Sequence, residues 1–412
     1  MKSITELEVS FAGEPAGILS WRNRHYWFQY NASWLERGFD LAPRFLNFDS
    51  QPQLAPQPTF KGLHGVFYDS LPDGWGMLLM DRFFKKQFNL DAHEITPLDR
   101  LSYMGKRAMG ALEYEPVITD DSISEQINFG ALIENAEKIL SGKSATVLNQ
   151  LRILGGSPAG ARPKVTVALA DSSDECVAGI SQLPTGFSHY LVKFRGQIDP
   201  KDIGRIEKAY AELAVMAGLE MPPNRLITVN HHRERDVLFA VKRFDRSGKH
   251  KFHMLTLAGF LYADYRMPSL DYQTLLGATA MLTKDMREIK RAFRLMAFNV
   301  AAHNKDDHGK NFAFICNRQG EWRLSPAFDL TFSQGINNEH TTAINGTGNP
   351  SRRDFATLAA TYKINDWETI VDEVIQAVAE WPTVAAHYKV AKRSAAMISN
   401  ALQGIERKLR KT

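Results

Sequence analysis

A dense polar run between two largely apolar segments is the feature that most constrains how this 412-residue chain can fold. The run extends from His303 to Asn311, after the apolar segment 298–302 and before the apolar segment 312–316. This setting predicts a loop between a buried helix end and a buried strand, where a rigid scaffold can hold functional groups. A solvated surface loop is the alternative interpretation of the same residues.

The polar run, together with a later aspartate, contains the side chains that a phosphotransferase requires. Asp306 is followed by Asn311 five residues later, and Asp329 lies eighteen residues beyond Asn311. In such enzymes one carboxylate accepts the proton of the attacking hydroxyl, while an amide oxygen and a second carboxylate hold Mg²⁺ against the nucleotide phosphates. Asp306 fits the role of the base better than the adjacent Asp307, because only Asp306 keeps the five-residue step to Asn311.

Composition indicates a globular protein of more than one domain. The chain is 44% hydrophobic and 23% charged, and its length exceeds that of one typical domain. A net charge of +4 is too small to predict nucleic-acid binding, and two cysteines offer neither a disulfide framework nor a zinc site. Since the sequence contains no apolar run of membrane-spanning length and no signal-peptide pattern, we expect a cytoplasmic protein without membrane association.

The N-terminal part is predicted to be rich in β-structure. Alternating apolar and polar residues within 5–30, with turn residues at 13–17, predict a β-meander. A Pro-Asp-Gly turn at 72–74 precedes an apolar run that predicts a buried helix, and Trp75 is expected to anchor the turn to the core. Further predicted elements are a helix from residue 98, a strand at 111–114 and a helix at roughly 126–141.

A glycine-rich segment follows and precedes a clear strand at 165–169. Gly155, Gly156 and Gly160 would let backbone N–H groups approach phosphate oxygens without a Cβ in the way. The spacing of these glycines matches neither the dinucleotide-binding fingerprint nor a Walker P-loop. A plain hairpin turn is the alternative interpretation.

A lysine on an apolar strand and a glutamate on the next helix predict a further part of a nucleotide site. Lys193 lies in the strand 189–194, and a buried lysine is costly unless it meets an anion such as phosphate. A snorkelling lysine on an edge strand is the alternative. Glu207 is predicted in the first turn of a helix over 207–219, where a capping or dipole role is the alternative to pairing with Lys193.

The strand 237–246 ends in a charged turn, at the place where a kinase linker presents backbone groups to adenine. The glycine-rich turn, strand lysine, helix glutamate, linker, catalytic aspartate with its asparagine, and metal-binding aspartate thus occur in the order found in protein kinases. Two departures from the eukaryotic pattern are plain. The catalytic run is His-Asn-Lys-Asp at 303–306 instead of His-Arg-Asp, and the segment 328–330 lacks the glycine that follows the metal-binding aspartate.

These motifs resemble those of the HipA-type serine/threonine kinases, the toxins of bacterial toxin–antitoxin pairs. The resemblance covers nearly the whole chain, and besides the Lys193 strand it rests on the segments 71–76, 109–112, 156–164, 242–246, 306–311 and 324–330. It implies an α+β, two-lobed, protein-kinase-like (HipA-like) fold. We expect a β-rich N-terminal subdomain at 1–120, the remainder of the small lobe at 121–245 and a mainly helical C-terminal lobe at 246–412. Apolar stripes over 281–296 and 370–379 predict helices of that lobe.

The resemblance also implies a site for ATP and Mg²⁺. Asp306 is similar in position to the catalytic base of the family, and Asn311 and Asp329 to its Mg²⁺ ligands. Ser157 lies where family members autophosphorylate, and a phosphoserine in a phosphate-binding turn would repel ATP. His308 either contacts phosphate or orders the loop. The expected nucleotide-contacting residues are Gly156, Ser157, Gly160, Ala161, Lys193, Glu207, Lys242, Phe244, His308, Lys310, Asn311 and Asp329.

Partners and substrate follow from the resemblance alone. It implies a HipB-like helix-turn-helix antitoxin, operator DNA bound indirectly through that antitoxin, and a translation-related protein substrate such as an aminoacyl-tRNA synthetase. Two other functions fit the same residues. One is a small-molecule kinase of the aminoglycoside or choline kinase type, which shares the step from aspartate to asparagine. The other is a catalytically silent corepressor subunit.

Overall fold

A computed structural model of the protein describes residues 3–56, 58–119, 123–124, 126–143, 146–155, 160–179, 183–231 and 234–410. These residues form two compact units. The first comprises the chain up to Asp199 together with Ile227–Leu255 and Ile315–Glu321, and the second comprises Pro200–Leu226, Thr256–Phe314 and the chain from Trp322 onward. The subdivision expected at residues 120 and 245 stays a prediction.

The strands and helices are numbered in chain order. The strands are β1 (Glu6–Phe11), β2 (Glu14–Arg22), β3 (His25–Tyr30), β4 (Gln53–Leu54), β5 (Leu112–Glu115), β6 (Lys164–Ala170), β7 (Cys176–Val177), β8 (Phe187–Lys193), β9 (Asn224–His231), β10 (Glu234–Lys242), β11 (Arg246–Ser247), β12 (His250–Lys251), β13 (His253–Thr256), β14 (Leu270–Asp271), β15 (Ala313–Cys316), β16 (Trp322–Leu324) and β17 (Thr342–Ala343). The helices are α1 (Ala32–Arg37), α2 (Gly65–Tyr68), α3 (Gly74–Phe88), α4 (Pro97–Met104), α5 (Phe129–Leu140), α6 (Asn149–Gly155), α7 (Ile203–Met216), α8 (Leu257–Leu261), α9 (Tyr272–Thr283), α10 (Met286–Ala301), α11 (Arg352–Tyr362), α12 (Trp367–Ala379), α13 (Trp381–His387) and α14 (Lys392–Leu409).

The N-terminal sheet of the first unit has the strand order β4-β3-β2-β1-β5. Strands β1, β2 and β3 pair antiparallel in sequence, with Leu7 opposite Leu19 and Leu19 opposite Phe28. Because alternate side chains of a strand point to the same face, these three apolar residues lie together on the buried face. The predicted β-meander within residues 5–30 is confirmed.

The second sheet of this unit has the order β7-β6-β8-β10-β9, and one of its faces is covered by helices. Val167 of β6, Val192 of β8 and Ala240 of β10 belong to one buried cluster with Trp75 of α3. Trp75 is 1% exposed, which confirms its predicted role as a core anchor. The opposite face carries the lysines described below.

The second unit is mainly helical, and α10 packs against α9, α12 and α14. Tyr210 of α7 contacts Trp381 of α13 with ring centroids 5.5 Å apart, and its hydroxyl donates to the carbonyl of Ala302 at 2.8 Å. The helical pattern predicted over 281–296 is confirmed except at residues 284–285, where the chain passes from α9 to α10. Lys284 adopts a left-handed φ of 53° that ends α9, and the side chain of Asp285 accepts from the N–H of Arg287 and begins α10.

A buried carboxylate fixes the chain after β10 in the first unit. Asp245 is 0% exposed and accepts hydrogen bonds from Arg243, Arg246 and the backbone N–H of Gly110. Burial alone would raise the pKa of Asp245, but the charges of Arg243 and Arg246 together outweigh burial and hold the pKa well below its ordinary range. The bond to Gly110 joins this turn to the segment that leads into β5.

We predict that Asp245→Asn lowers the free energy of unfolding by about 3–5 kcal/mol, because two buried guanidinium groups lose their carboxylate partner. Since the folded-state pKa of Asp245 is depressed, the advantage of the wild-type protein is full above about pH 4 and is lost as the pH falls below that value. Denaturant unfolding of both proteins at several pH values measures the difference. Asp174→Asn, at an exposed carboxylate of the same unit, is the control. Equal stability of the Asp245 variant and the wild type would contradict the prediction.

Candidate active site

The polar run His303–Asn311 is a loop between the end of α10 and the start of β15, as predicted. Its two adjacent aspartates have opposite environments. The Asp306 side chain is 64% exposed, whereas that of Asp307 is 0% exposed. Of the two carboxylates, Asp306 is therefore the one that a substrate can reach.

Asp307 holds the loop in place from inside the second unit. Its carboxylate accepts hydrogen bonds from the hydroxyl of Tyr272 at 2.8 Å and from Nδ1 of His340 at 2.8 Å. The backbone N–H groups of Thr341 and Thr342 donate to its other oxygen at 2.8 and 3.2 Å. Charged acceptors make the stronger hydrogen bonds of proteins, and Asp307 offers lone pairs for all four donors. The loop His303–Asn311 is thereby tied to α9 and to β17.

The buried network continues from Asp307 to the last turn of α10. The Tyr272 hydroxyl also accepts from the side-chain amide of Asn299 at 2.9 Å, and the amide oxygen of Asn299 accepts from Asn304 at 2.9 Å. Burial raises the pKa of Tyr272 well above its ordinary value, and the negative charge of Asp307 raises the pKa further. Tyr272 therefore keeps its proton and remains a donor to Asp307.

The side chain of Asn311 reaches back across the loop to Asp306. Its amide N–H₂ donates to the backbone carbonyl of Asp306 at 2.6 Å, and its backbone N–H donates to the carbonyl of His308 at 2.8 Å. These bonds hold Asn311 against the backbone of Asp306. The role of the Asn311 amide oxygen as a metal ligand stays a prediction.

His308 and Lys310 occupy the interior of the same loop. Nδ1 of His308 accepts from the backbone N–H of Lys310 at 3.2 Å, and Nε2 lies 3.9 Å from the Asp306 carboxylate. The ammonium of Lys310 lies 4.7 Å from the ring centroid of Tyr265, which also contacts the His308 ring. These contacts support loop ordering by His308. A phosphate contact of either residue stays a prediction.

Asp329 follows β16 and is half-buried, with a left-handed φ of 56°. A residue other than glycine adopts this conformation at a cost of about 1 kcal/mol or more, and such strain clusters at functional sites. Asn311 and Asp329 offer the oxygen donors that Mg²⁺ prefers. No group of three or more His, Cys, Asp and Glu side chains among the described residues could hold a metal. A Mg²⁺ site at Asn311 and Asp329 stays a prediction, and phosphate and water oxygens would have to complete the ligand shell.

Glu207 lies in the second unit, on α7. This helix begins at Ile203, so Glu207 stands in the second turn and not in the predicted first turn. The predicted helix start was four residues too late, because the buried Ile203 and Ile206 extend the apolar stripe of the helix toward its N-terminus. Glu207 is 2% exposed and lies beyond the first turn, which holds the N–H groups that a capping residue would satisfy. Its pairing with Lys193 stays a prediction.

Two buried lysines share one face of the second sheet in the first unit. Lys193 at the end of β8 lies directly opposite Lys164 of β6, and the two side chains are 6% and 3% exposed. Nζ of Lys193 lies 5.8 Å from the ring centroid of Phe239 on β10. The two lysines lie at paired positions of the sheet, where the sequence predicts a phosphate contact for Lys193. Lys164 was not predicted from sequence, since it lies next to a proline at the start of its strand.

The Pro-Asp-Gly turn at 72–74 and the adjacent Trp75 hold Gly160, in the glycine-rich segment. The backbone N–H of Gly160 donates to Asp73, and the N–H of Trp75 donates to the Gly160 carbonyl at 3.1 Å. Asp73 precedes α3 but makes no capping bond to that helix. A Cβ on Gly74 would approach the Cα of Ala161 to 2.7 Å, so this contact requires glycine. Asp73 was missed because no sequence spacing relates residues 87 positions apart.

The remaining expected nucleotide contacts lie in the first unit or outside the described residues. Gly160 has a φ of 104°, and a Cβ there would collide with the ammonium of Lys164. Lys242 ends β10 opposite Tyr190, and Phe244 follows in the turn that Asp245 anchors. Gly156 and Ser157 lie outside the described residues. The structure thus brings Asp306, His308, Lys310 and Asn311 together in one loop of the second unit. In the first unit, Gly160 lies beside the ammonium of Lys164, which is paired with Lys193, and Ala161 follows Gly160 in the chain.

We predict that Asp307→Asn destabilises the protein by about 2–4 kcal/mol, because an amide cannot accept from four converging donors. Asp306→Asn is the matched control and should change stability by less than about 0.5 kcal/mol, since its side chain is mostly exposed. Chemical denaturation of both variants tests this pair of expectations. Equal effects of the two substitutions would contradict the assignment of Asp307 as the structural aspartate.

Comparisons with known proteins agree with the resemblance predicted from sequence. A model of the HipA N-terminal domain matches residues 7–115, and a model of the HipA-like C-terminal domain matches residues 156–381. A structure of the toxin–antitoxin system of Shewanella oneidensis MR-1, containing HipA, HipB and operator DNA, aligns with a TM-score of 0.71 and 16% identity. That alignment covers 98% of this chain and 96% of that chain.

Other comparisons add little. The kinase CtkA of Helicobacter pylori aligns with a TM-score of 0.41 and 11% identity, over 54% of this chain and 88% of that chain. A TM-score this low does not establish a shared fold. A search of curated protein sequences returned no match. Among the described helices, none combines the length and apolarity needed to cross a membrane.

The predicted α+β, HipA-like fold class is confirmed by the alignment with the Shewanella structure, since that alignment extends over almost the whole of both chains. The C-terminal family model alone spans residues 156–381, which is more than half of the 412 residues. The N-terminal model accounts for most of the β-rich part that precedes it. This chain belongs to the HipA family.

Proposed function

We propose that this protein is an ATP- and Mg²⁺-dependent serine/threonine protein kinase and the toxin of a HipA/HipB-like pair. The observation that carries the proposal is the contrast between the two adjacent aspartates. The carboxylate of Asp307 is buried and accepts four hydrogen bonds from within the protein. The side chain of Asp306 is exposed, and its backbone carbonyl accepts from the proposed metal ligand Asn311. A solvated surface loop, the alternative interpretation, does not need a buried carboxylate with four hydrogen-bond donors to fix its conformation.

The proposed roles follow from the chemistry of each side chain. Asp306 would accept the proton of the attacking hydroxyl, and its exposure leaves room for a protein substrate. Asn311 and Asp329 would hold Mg²⁺, which neutralises charge on the phosphates when bound. The ammonium groups of Lys164 and Lys193 would bind phosphate oxygens.

The family membership supports the proposed partners. The aligned Shewanella structure contains HipA, HipB and operator DNA, which supports a HipB-like antitoxin for this chain and DNA bound through it. We further propose a translation-related protein as substrate, such as an aminoacyl-tRNA synthetase, and autophosphorylation of Ser157. A phosphate on Ser157 would add negative charge to the glycine-rich segment and oppose ATP binding.

We predict that the purified protein incorporates the γ-phosphate of ATP into Ser157 in the presence of Mg²⁺. Asp306→Asn should reduce the rate of labelling by about 10²–10⁴-fold, because the general base is lost. Phosphopeptide mass spectrometry locates the label, and Asp264→Asn serves as a control at another aspartate of the second unit. Undiminished labelling of the Asp306 variant would overturn the role of Asp306. Consumption of ATP by sugars or amino alcohols would favour a small-molecule kinase, and ATP binding without turnover would favour a silent corepressor.

We also predict that Asp73→Ala raises the KM for ATP by about tenfold with a smaller change in kcat, because one charge-assisted bond that positions Gly160 is lost. Asp73→Asn keeps an acceptor oxygen and should restore most of the lost affinity. Steady-state kinetics at varied ATP concentration separates the two constants. If both variants fall equally in kcat with an unchanged KM, Asp73 does not position the phosphate-binding segment.

A further inference from the structure

An exposed apolar side chain lies in a segment that is bonded to the loop containing Asp306. Ile336 is 76% exposed, and residues 334–339 of the second unit are all exposed. We propose that Ile336 is a specificity-determining residue, which contacts an apolar side chain of the protein substrate near the hydroxyl that accepts phosphate. This inference rests on the proposed kinase function and adds to it a chemical feature of the substrate.

A buried lysine attaches the 334–339 segment to the loop His303–Asn311. Lys305 directly precedes Asp306 and is 3% exposed. Its ammonium donates to the side-chain oxygen of Asn338 at 2.8 Å and also to the backbone carbonyl of Asn338. A buried ammonium group needs such acceptors, because it has lost its contacts with water. The residue before Asp306 is thereby bonded to a residue two positions after Ile336.

The chain on both sides of the segment is bonded to the same loop. The backbone N–H of Ser333 donates to the carbonyl of His303 at 3.1 Å, and Nδ1 of His303 donates to the carbonyl of Ser333 at 3.0 Å. After the segment, the backbone N–H and the hydroxyl of Thr341 donate to the carbonyl of Lys305 at 3.2 and 3.0 Å. These bonds fix both ends of the segment relative to Asp306.

The residue types between these ends suit the backbone conformation of the segment. Gly335, Asn337 and Asn338 have left-handed φ values of 65°, 55° and 60°. Glycine and asparagine are the residues that adopt this conformation most readily. A Cβ on Gly335 would collide with the carbonyl oxygen of Glu339 and would lie 2.9 Å from the Cβ of Lys305, so this close approach requires glycine. The segment that exposes Ile336 therefore has a defined shape.

The exposure of this surface favours a polypeptide over a small molecule. Small-molecule sites are concave and bury about 70–90% of the ligand surface. Here the side chain of the proposed base Asp306 is 64% exposed and Ile336 is exposed further, so both are open to a large partner. Contact with an apolar side chain of that partner would remove Ile336 from water, which favours association.

The position of Ile336 separates it from other exposed apolar residues, which are ordinary on protein surfaces. Met281 of α9 is 50% exposed in the same unit. It lies nine residues after Tyr272, the residue of this helix that donates to Asp307, and therefore about 13 Å farther along the helix. Met281 thus provides a matched control for Ile336.

The test compares phosphorylation of a bacterial cell extract by the full chain and its variants, with ATP and Mg²⁺ present. Quantitative phosphopeptide mass spectrometry identifies the sites that the wild type labels and Asp306→Asn does not. We expect Ile336→Gln to label these sites about tenfold more slowly, and Ile336→Leu to keep most of the rate. Met281→Gln should match the wild type. For the protein labelled most strongly, purified, Ile336→Gln should raise the KM more than it lowers kcat.

The labelled sequences supply a second readout, because apolar residues should be enriched within about four positions of the accepting hydroxyl if Ile336 contacts the substrate there. Equal rates for Ile336→Gln and the wild type would overturn the inference and leave the proposed kinase function intact. An equal loss in Ile336→Leu or Met281→Gln, or labelled sites without apolar enrichment, would also overturn it. If the wild type labels no site beyond those of Asp306→Asn, the proposed kinase function fails, and this inference fails with it.

Discussion

The buried carboxylate of Asp307 is the group on which the geometry of the loop His303–Asn311 depends. A carboxylate is stable inside a protein only when donors surround it, and here Tyr272, His340 and two backbone N–H groups do so. The same bonds join the loop to α9 and to the chain around β17, which are distant in sequence. Asp306, the preceding residue, can consequently be exposed and still have a defined position.

Asp73 and Asp245 act in a comparable way in the first unit, where each aspartate binds a backbone N–H of a distant segment. Asp73 accepts from Gly160 and Asp245 accepts from Gly110, so each ties the part matched by one family model to the part matched by the other. The N-terminal module is thus part of the support of the glycine-rich segment and of the turn after β10. This arrangement gives the module a structural reason to accompany the kinase-like part.

Local patterns in the sequence predicted most elements of the fold. The alternation within 5–30, the strands at β6 and β8 and the helix at α12 were predicted because period-2 and period-3.6 patterns report burial on one face. Boundaries were less predictable. The division between α9 and α10 depends on a left-handed Lys284 and the capping Asp285. The start of α7 at Ile203 was predicted four residues too late.

The sequence by itself determined the family, and it predicted the order of the phosphotransfer residues and the choice of Asp306 over Asp307, since these depend on residue types at short, fixed spacings. Only the tertiary structure decided that Asp307 is a buried hub, that Asp73 holds Gly160, that Lys164 faces Lys193 and that Lys305 holds Asn338. The reason is physical. Hydrogen bonds and electrostatic fields act between groups that folding brings together, and their separation along the chain carries no periodic signal.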